Sequence, residues 1–140
     1  MPRRASRHGT TFVGLAKEIS EPVRRLIARH IHSAAQLEVL LLLRAVPDRE
    51  WSVQDVARAQ VSTRVMAEGL LEDLHARGFV AAYGEPRRYR YAPPSDCLGV
   101  IDSLAEAYAT RRVAVVGLIF SKPSSAVMGL ADAFRIRKDR

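Results

Sequence analysis

The chain has 140 residues, 48% of them hydrophobic, enough to bury the core of about one domain and little more. Its net charge of +7 suits a polyanionic partner, because a positive field speeds encounter with phosphates whatever their sequence. A single cysteine, Cys97, excludes an intramolecular disulfide framework, and the longest apolar run, Val113 to Phe120, is far shorter than the roughly 20 residues needed to span a bilayer. These features read as a soluble, cytoplasmic protein without a membrane segment. Of the 22 basic residues only Lys17, Lys122 and Lys138 are lysines. Arginine suits bidentate phosphate or guanine contact better than lysine, although genomic base composition produces the same bias.

Residues 1–11, with Arg3, Arg4 and Arg7, form a basic N-terminal arm of the kind that lies along a nucleic acid. An organellar transit peptide has similar composition, but the helical pattern that follows favours the arm. Residues 12–32 form an N-terminal helical segment. Phe12, Leu15 and Ile19 recur at helical spacing, and Pro22 then leads into Val23, Leu26, Ile27 and His30 on one stripe, as two short helices or one kinked helix. His30 lies on that apolar stripe and reads as a packed core histidine.

Three serine-led helix starts follow, Ser33-Ala-Ala-Gln36, Ser52-Val-Gln-Asp55 and Ser62-Thr-Arg-Val65. Each serine is placed to cap orphan backbone N–H groups, and Gln36 and Asp55 stand where a capping box needs them. The first helix carries leucines on nearly every side, which predicts full burial, and Pro47-Asp48 stops it. Trp51 is placed to staple onto Val56, and Val61 onto Met66, fixing the entries of two helices joined by the short segment Ala57 to Val61. The second of these buries Ala67, Leu70, Leu71 and Leu74 and ends at Gly78. Phe79 to Tyr83 and Arg88 to Tyr91 then read as a β-hairpin with a Gly84-Glu-Pro-Arg87 tip, Tyr89 and Tyr91 on one face and Arg88 and Arg90 on the other.

Residues 33–94, less than half the chain, resemble the winged helix-turn-helix of bacterial transcriptional regulators of the MarR and ArsR kind. The matching residues are Trp51-Ser52-Val53, Val61-Ser62, Leu71 and Leu74 with Arg77-Gly78-Phe79-Val80, and the basic hairpin. The expected fold is mainly α (α+β), with a two-stranded β-hairpin wing and extra N- and C-terminal helices. The resemblance implies a recognition helix from Thr63 to Arg77 in the major groove of duplex DNA and a wing from Tyr83 to Arg90 on the backbone or minor groove. The expected DNA-binding residues are Ser62, Thr63, Arg64, Val65 and Glu68, the wing residues Arg87, Arg88 and Arg90, and the arm residues Arg3, Arg4 and Arg7. The wing arginines also suit a second use, keeping an edge strand soluble.

On a helical wheel the face opposite the core carries Val65, Glu68, Gly69, Glu72 and Ala76, with Arg64 at the first turn. Glutamates repel phosphates unless they accept from cytosine N4, and Val65 matches only a thymine methyl. An alternative function therefore stands beside DNA binding, a winged-helix adaptor docking another protein through this acidic face or the C-terminal helix.

No glycine-rich phosphate loop, nucleophile motif or cluster of cysteines and histidines at metal spacing is present, so the chain reads as a non-enzyme with no cofactor and no metal site. In residues 95–140 a helix from about Leu98 to Phe120 carries Ile101, Leu104, Tyr108, Val115, Val116 and Ile119 as the expected homodimer contact, since beyond Val113 it is apolar all round. The β-branched run at Val113 would also suit a strand, but helix is preferred. A last amphipathic helix, with Val127, Leu130, Ala131 and Phe134, ends in Arg135, Arg137 and Lys138.

Overall fold

A computed structural model describes residues 19–121, so the basic arm, Phe12, Leu15 and the expected last helix lie outside the described residues. The first described helix, α1 (Glu21–His30), is capped by Ser20 with Pro22 in its first turn, where a missing N–H costs nothing. It buries Val23, Leu26 and Ile27. After a bend at Ile31, α2 (Ala34–Ala45) starts at Ser33, whose hydroxyl accepts from the Gln36 N–H at 3.0 Å. The expected return bond from the Gln36 side chain to the Ser33 N–H is absent. Gln36 instead accepts from the His32 N–H at 2.5 Å, because its amide is buried and drawn toward the interior. The leucines of α2 are not uniformly buried: Leu37, Leu40 and Leu43 are, while Leu41 and Leu42 are only half-buried.

Next come a short strand β1 (Trp51–Ser52), helix α3 (Val53–Gln60), helix α4 (Arg64–Ala76) and the hairpin of β2 (Val80–Tyr83) and β3 (Arg88–Tyr91). The sheet therefore has three antiparallel strands in the order β1-β3-β2, one more than expected. Trp51, read from sequence as a helix staple, sits opposite Tyr89 in the ladder, and Ser52 opposite Arg88. Within the hairpin Val80 faces Tyr91 and Tyr83 faces Arg88. Pairing of β1 to β3 locks the start of α3 to the wing, and α4 packs on both α2 and β2.

Beyond a short 3-10 turn at Ser95–Cys97, helix α5 (Leu98–Thr110) and helix α6 (Arg112–Ser121) replace the single helix expected there. The break falls at Arg111. Beside the break the Thr110 hydroxyl bonds the Glu106 carbonyl at 2.8 Å, and Arg112 is held by Glu38 on α2 at 3.2 Å. Folded back in this way, α6 packs against both α1 and α5. Consequently Ile101, Leu104, Tyr108, Val115 and Ile119, expected at a dimer contact, are buried in the chain's own core. Only Val116 of that set is half-buried, and the outward apolar residues of α6 are Val113 and Phe120. The core is continuous from α1 through the winged helix to α6. Among the described residues no single helix is long and apolar enough to cross a membrane.

Helices α3 and α4 end in the same hydrogen-bonded turn. Val61 and Ser62 return N–H groups to the carbonyls of Arg58 and Ala57, as Gly78 and Phe79 do to His75 and Leu74. Each turn needs one left-handed residue. Gly78 takes φ +84 without cost, whereas Val61, β-branched, takes φ +52. Val61 is also 92% exposed, so no packing holds it there. Replacing Val61 with glycine is expected to raise stability by about 0.5–1 kcal/mol in urea denaturation, strain relief being partly offset by the freer unfolded chain. Gly78→Val should have the opposite sign.

Candidate nucleic-acid interface

The helix-turn-helix is built from its caps. Ser52 and Asp55 form a complete capping box, Ser52 Oγ accepting from the Asp55 N–H at 3.0 Å and Asp55 Oδ2 from the Ser52 N–H at 3.2 Å. The Ser52 N–H holds the Asp55 carboxyl below the usual carboxylate range, with help from Arg49 at 3.4 Å. At the entry to α4 the cap is Thr63, whose hydroxyl accepts from the Met66 N–H at 3.1 Å, rather than the expected Ser62. That one-residue shift dissolves the expected staple. Val61 now stands two residues before the cap, and Met66 is 52% exposed.

Ser62, Thr63, Arg64, Val65 and Glu68 come together on the exposed turn and first half of α4, along with Met66 and Gly69. Val65 is 81% exposed. Glu72, read from the helical wheel as part of this free face, is not free. The Tyr89 hydroxyl, on a residue 1% exposed, donates to Glu72 Oε2, and Arg87 Nε lies 3.5 Å from the same oxygen. Glu72 thereby pins α4 to the wing. Behind it, Asp73 accepts from Gln36 Nε2 at 2.7 Å and from Arg77 at 3.0 Å.

The wing turns at Gly84, φ +71. Of its arginines, Arg88 is exposed, Arg87 is tied to Glu72, and Arg90 lies over the Tyr83 ring at 4.9 Å while donating to its hydroxyl at 2.5 Å. Arg90 is thus spent inside the hairpin. Among the described residues Arg29, Arg58, Arg64 and Arg88 are exposed and in no ion pair, the last three on the helix-turn-helix and wing. Arg58 was missed from sequence. Its signal was its place in the last turn of α3, immediately before the left-handed turn. Arg3, Arg4 and Arg7 lie outside the described residues.

This arrangement of three helices, α2 to α4, and a three-stranded sheet that includes the β2–β3 hairpin is a winged helix-turn-helix. Among solved structures, Staphylococcus aureus MepR in a DNA complex is similar at 12% identity over 91% of this chain and 96% of its own, with a TM-score of 0.51. The MarR-family transcription regulator SP03579 is 16% identical over 99% of this chain and 88% of its own, with a TM-score of 0.50. S. aureus MepR bound to ethidium bromide is 12% identical over 93% of this chain and 92% of its own, also with a TM-score of 0.50. At these identities the likeness is one of fold. No protein-family model matches the chain, and no curated protein matches it by sequence.

Burial and the bond to Glu72 push the Tyr89 hydroxyl well above its ordinary pKa, and burial also raises Tyr91 and Tyr108. An acid whose folded pKa is raised stays protonated when the unfolded chain ionises. Stability from these tyrosines is therefore complete below the unfolded value of 10.0 and is lost as pH rises above it. Tyr89→Phe should cost about 1 kcal/mol at neutral pH, the lower range for a bond to a half-exposed carboxylate. It should also lessen the alkaline loss, as urea titrations at neutral pH and above pH 10 would read.

Proposed function

We propose that the chain is a DNA-binding transcription regulator, acting in the cytoplasm as a homodimer. The observation that carries this reading is a recognition helix whose first half projects from the core beside a wing, with Arg58, Arg64 and Arg88 unpaired around it. The MepR structure of similar fold is a DNA complex, which supports the same reading. In this reading α4 enters the major groove, Ser62 and Thr63 meet phosphate, Arg64 and Glu68 reach base edges, and Arg88 contacts backbone. Arg3, Arg4 and Arg7 would add phosphate contacts from the arm. Arg87 and Arg90 act as wing scaffold, since their guanidinium groups already have partners.

Binding to upstream DNA against scrambled DNA, at two salt concentrations, tests the reading. Arg88→Ala should weaken binding to all sequences alike and flatten the log K against log salt slope by about one unit. Arg90→Ala should leave that slope unchanged and lower stability instead. Equal effects of the two would refute the division of roles.

The dimer contact belongs to the outer face of α6. Val113 and Phe120 are 85% and 76% exposed, and α6 carries no charge between Arg112 and Ser121. Phe120→Asp should dissociate the dimer, because an unpaired carboxylate buried at the contact costs several kcal/mol. Its exposure in the single chain means that folding should survive. Light scattering would report the mass, and a monomeric wild type at micromolar concentration would refute the dimer.

An adaptor reading is favoured by one observation, the exposed apolar cluster of Val61, Val65 and Met66 at the tip of the helix-turn-helix. Equal, weak binding to specific and scrambled DNA would support it.

A further inference from the structure

We infer that the tip of the recognition helix reads pyrimidine C5-methyl groups in the major groove, with Val65 and Met66 against the methyl and Glu68 accepting from an exocyclic amino group. The inference rests on the DNA-binding reading and names what that site selects.

Three observations converge on it. Val61, Val65 and Met66 are 92%, 81% and 52% exposed within six residues of one another, at the turn and first turn of α4. A tip built for phosphate or guanine would carry arginine or lysine there, and only Arg64 does so. Gly69, one turn after Val65, stands in a helix interior where it costs about 1 kcal/mol relative to alanine. A Cβ built at Gly69 would meet nothing within 4 Å, so no neighbour in the chain requires glycine. Its absence of side chain leaves a shallow place beside Val65, where the edge of a base pair can approach the helix backbone. Glu68, exposed on the same side, is acceptor-only when ionised, and so repels the guanine edge of O6 and N7.

An apolar group beside an acceptor selects base pairs that present a methyl beside an amino group. An A·T pair offers both, the amino on adenine and the methyl on thymine. A C5-methylated cytosine offers both on one base. An unmethylated G·C pair offers the amino group alone.

The test uses the full chain and duplexes enriched by it from a random-sequence pool, resynthesised with deoxyuridine for thymidine or with 5-methylcytosine for cytosine. Loss of the thymine methyl should weaken binding about threefold to fivefold for each methyl contacted, the ratio expected for one buried methyl group. If the source is methylcytosine, that arm should tighten binding by a similar factor. Val65→Ala, at an exposed position that leaves the fold intact, should bring either ratio close to one. Sequence-selective binding that is indifferent to both substitutions would overturn this inference and leave the DNA-binding reading standing. Failure to enrich any sequence would overturn both, and is the outcome expected of a tip that docks a protein.

Discussion

A buried amide holds this fold together. Gln36 is 2% exposed, yet its side chain donates to the His30 carbonyl at 2.8 Å and to Asp73 at 2.7 Å while accepting from the His32 N–H. It thus closes the bend between α1 and α2 and anchors the rear of α4 to that bend. Apolar packing alone would let these helices slide, because dispersion contacts are weakly directional. Hydrogen bonds in a dry interior are not, since any displacement leaves groups unpaired at about 1–3 kcal/mol each. Arg77 extends the network, reaching Asp73, the Arg29 carbonyl and His30. His30 in turn meets Phe79 edge-on at 5.1 Å, so the end of α1 also touches the start of the hairpin region. The angle of α4 to α1 and α2 is therefore specified by polar contacts.

Around that anchor one three-residue device occurs twice. Tyr89 donates to Glu72, which Arg87 pairs, with the guanidinium 6.0 Å from the tyrosine ring centroid. Tyr108 donates to Glu38 at 2.7 Å, which Arg112 pairs at 3.2 Å, with the guanidinium 4.4 Å from the ring. In each case a largely buried ring delivers its hydroxyl to the surface, where a carboxylate and an arginine close over it. The ion pairs themselves are too exposed to add much. Their value is geometric: the first holds the wing to α4, the second sets where α6 leaves α5.

What was legible in the sequence follows from the range of the forces involved. Caps are local, so Ser33 and Ser52 marked helix starts correctly, and the period of two in Arg88 to Tyr91 marked the second wing strand with Tyr89 inward. The start of α4 was missed by one residue because Ser62 and Thr63 are both competent caps, and the choice depends on the left-handed turn at Val61. Strand β1 is two residues long and exists only because β3 is beside it, a contact no local pattern encodes. Glu72 was assigned to the free face for the same reason, since its partners lie on the hairpin. The apolar stripe of α5 and α6 was read correctly as needing cover, but periodicity cannot say who provides it. With the chain broken at Arg111, α1 supplies most of that cover.

Among the described residues, the arginines offer less to phosphate than their number suggests. Arg44, Arg49, Arg77, Arg87 and Arg112 are each paired with a carboxylate, and Arg90 is stacked on Tyr83. Such paired arginines still contribute to the long-range field, but each is offset by its neighbour within a few ångströms, well inside the roughly 8–10 Å over which salt screens. The cations left unpaired near the helix-turn-helix are few, and Glu68 opposes them at the tip. In the DNA-binding reading proposed above, discrimination at the tip would come from short-range terms, the removal of water from Val65 and Met66 and the alignment of one acceptor. These terms act only when the helix is held at a fixed depth and angle. On that reading the requirement would give the Gln36 network and the Glu72 pin a functional role, since α4 carries little charge at its tip and would depend on rigidity for its selectivity.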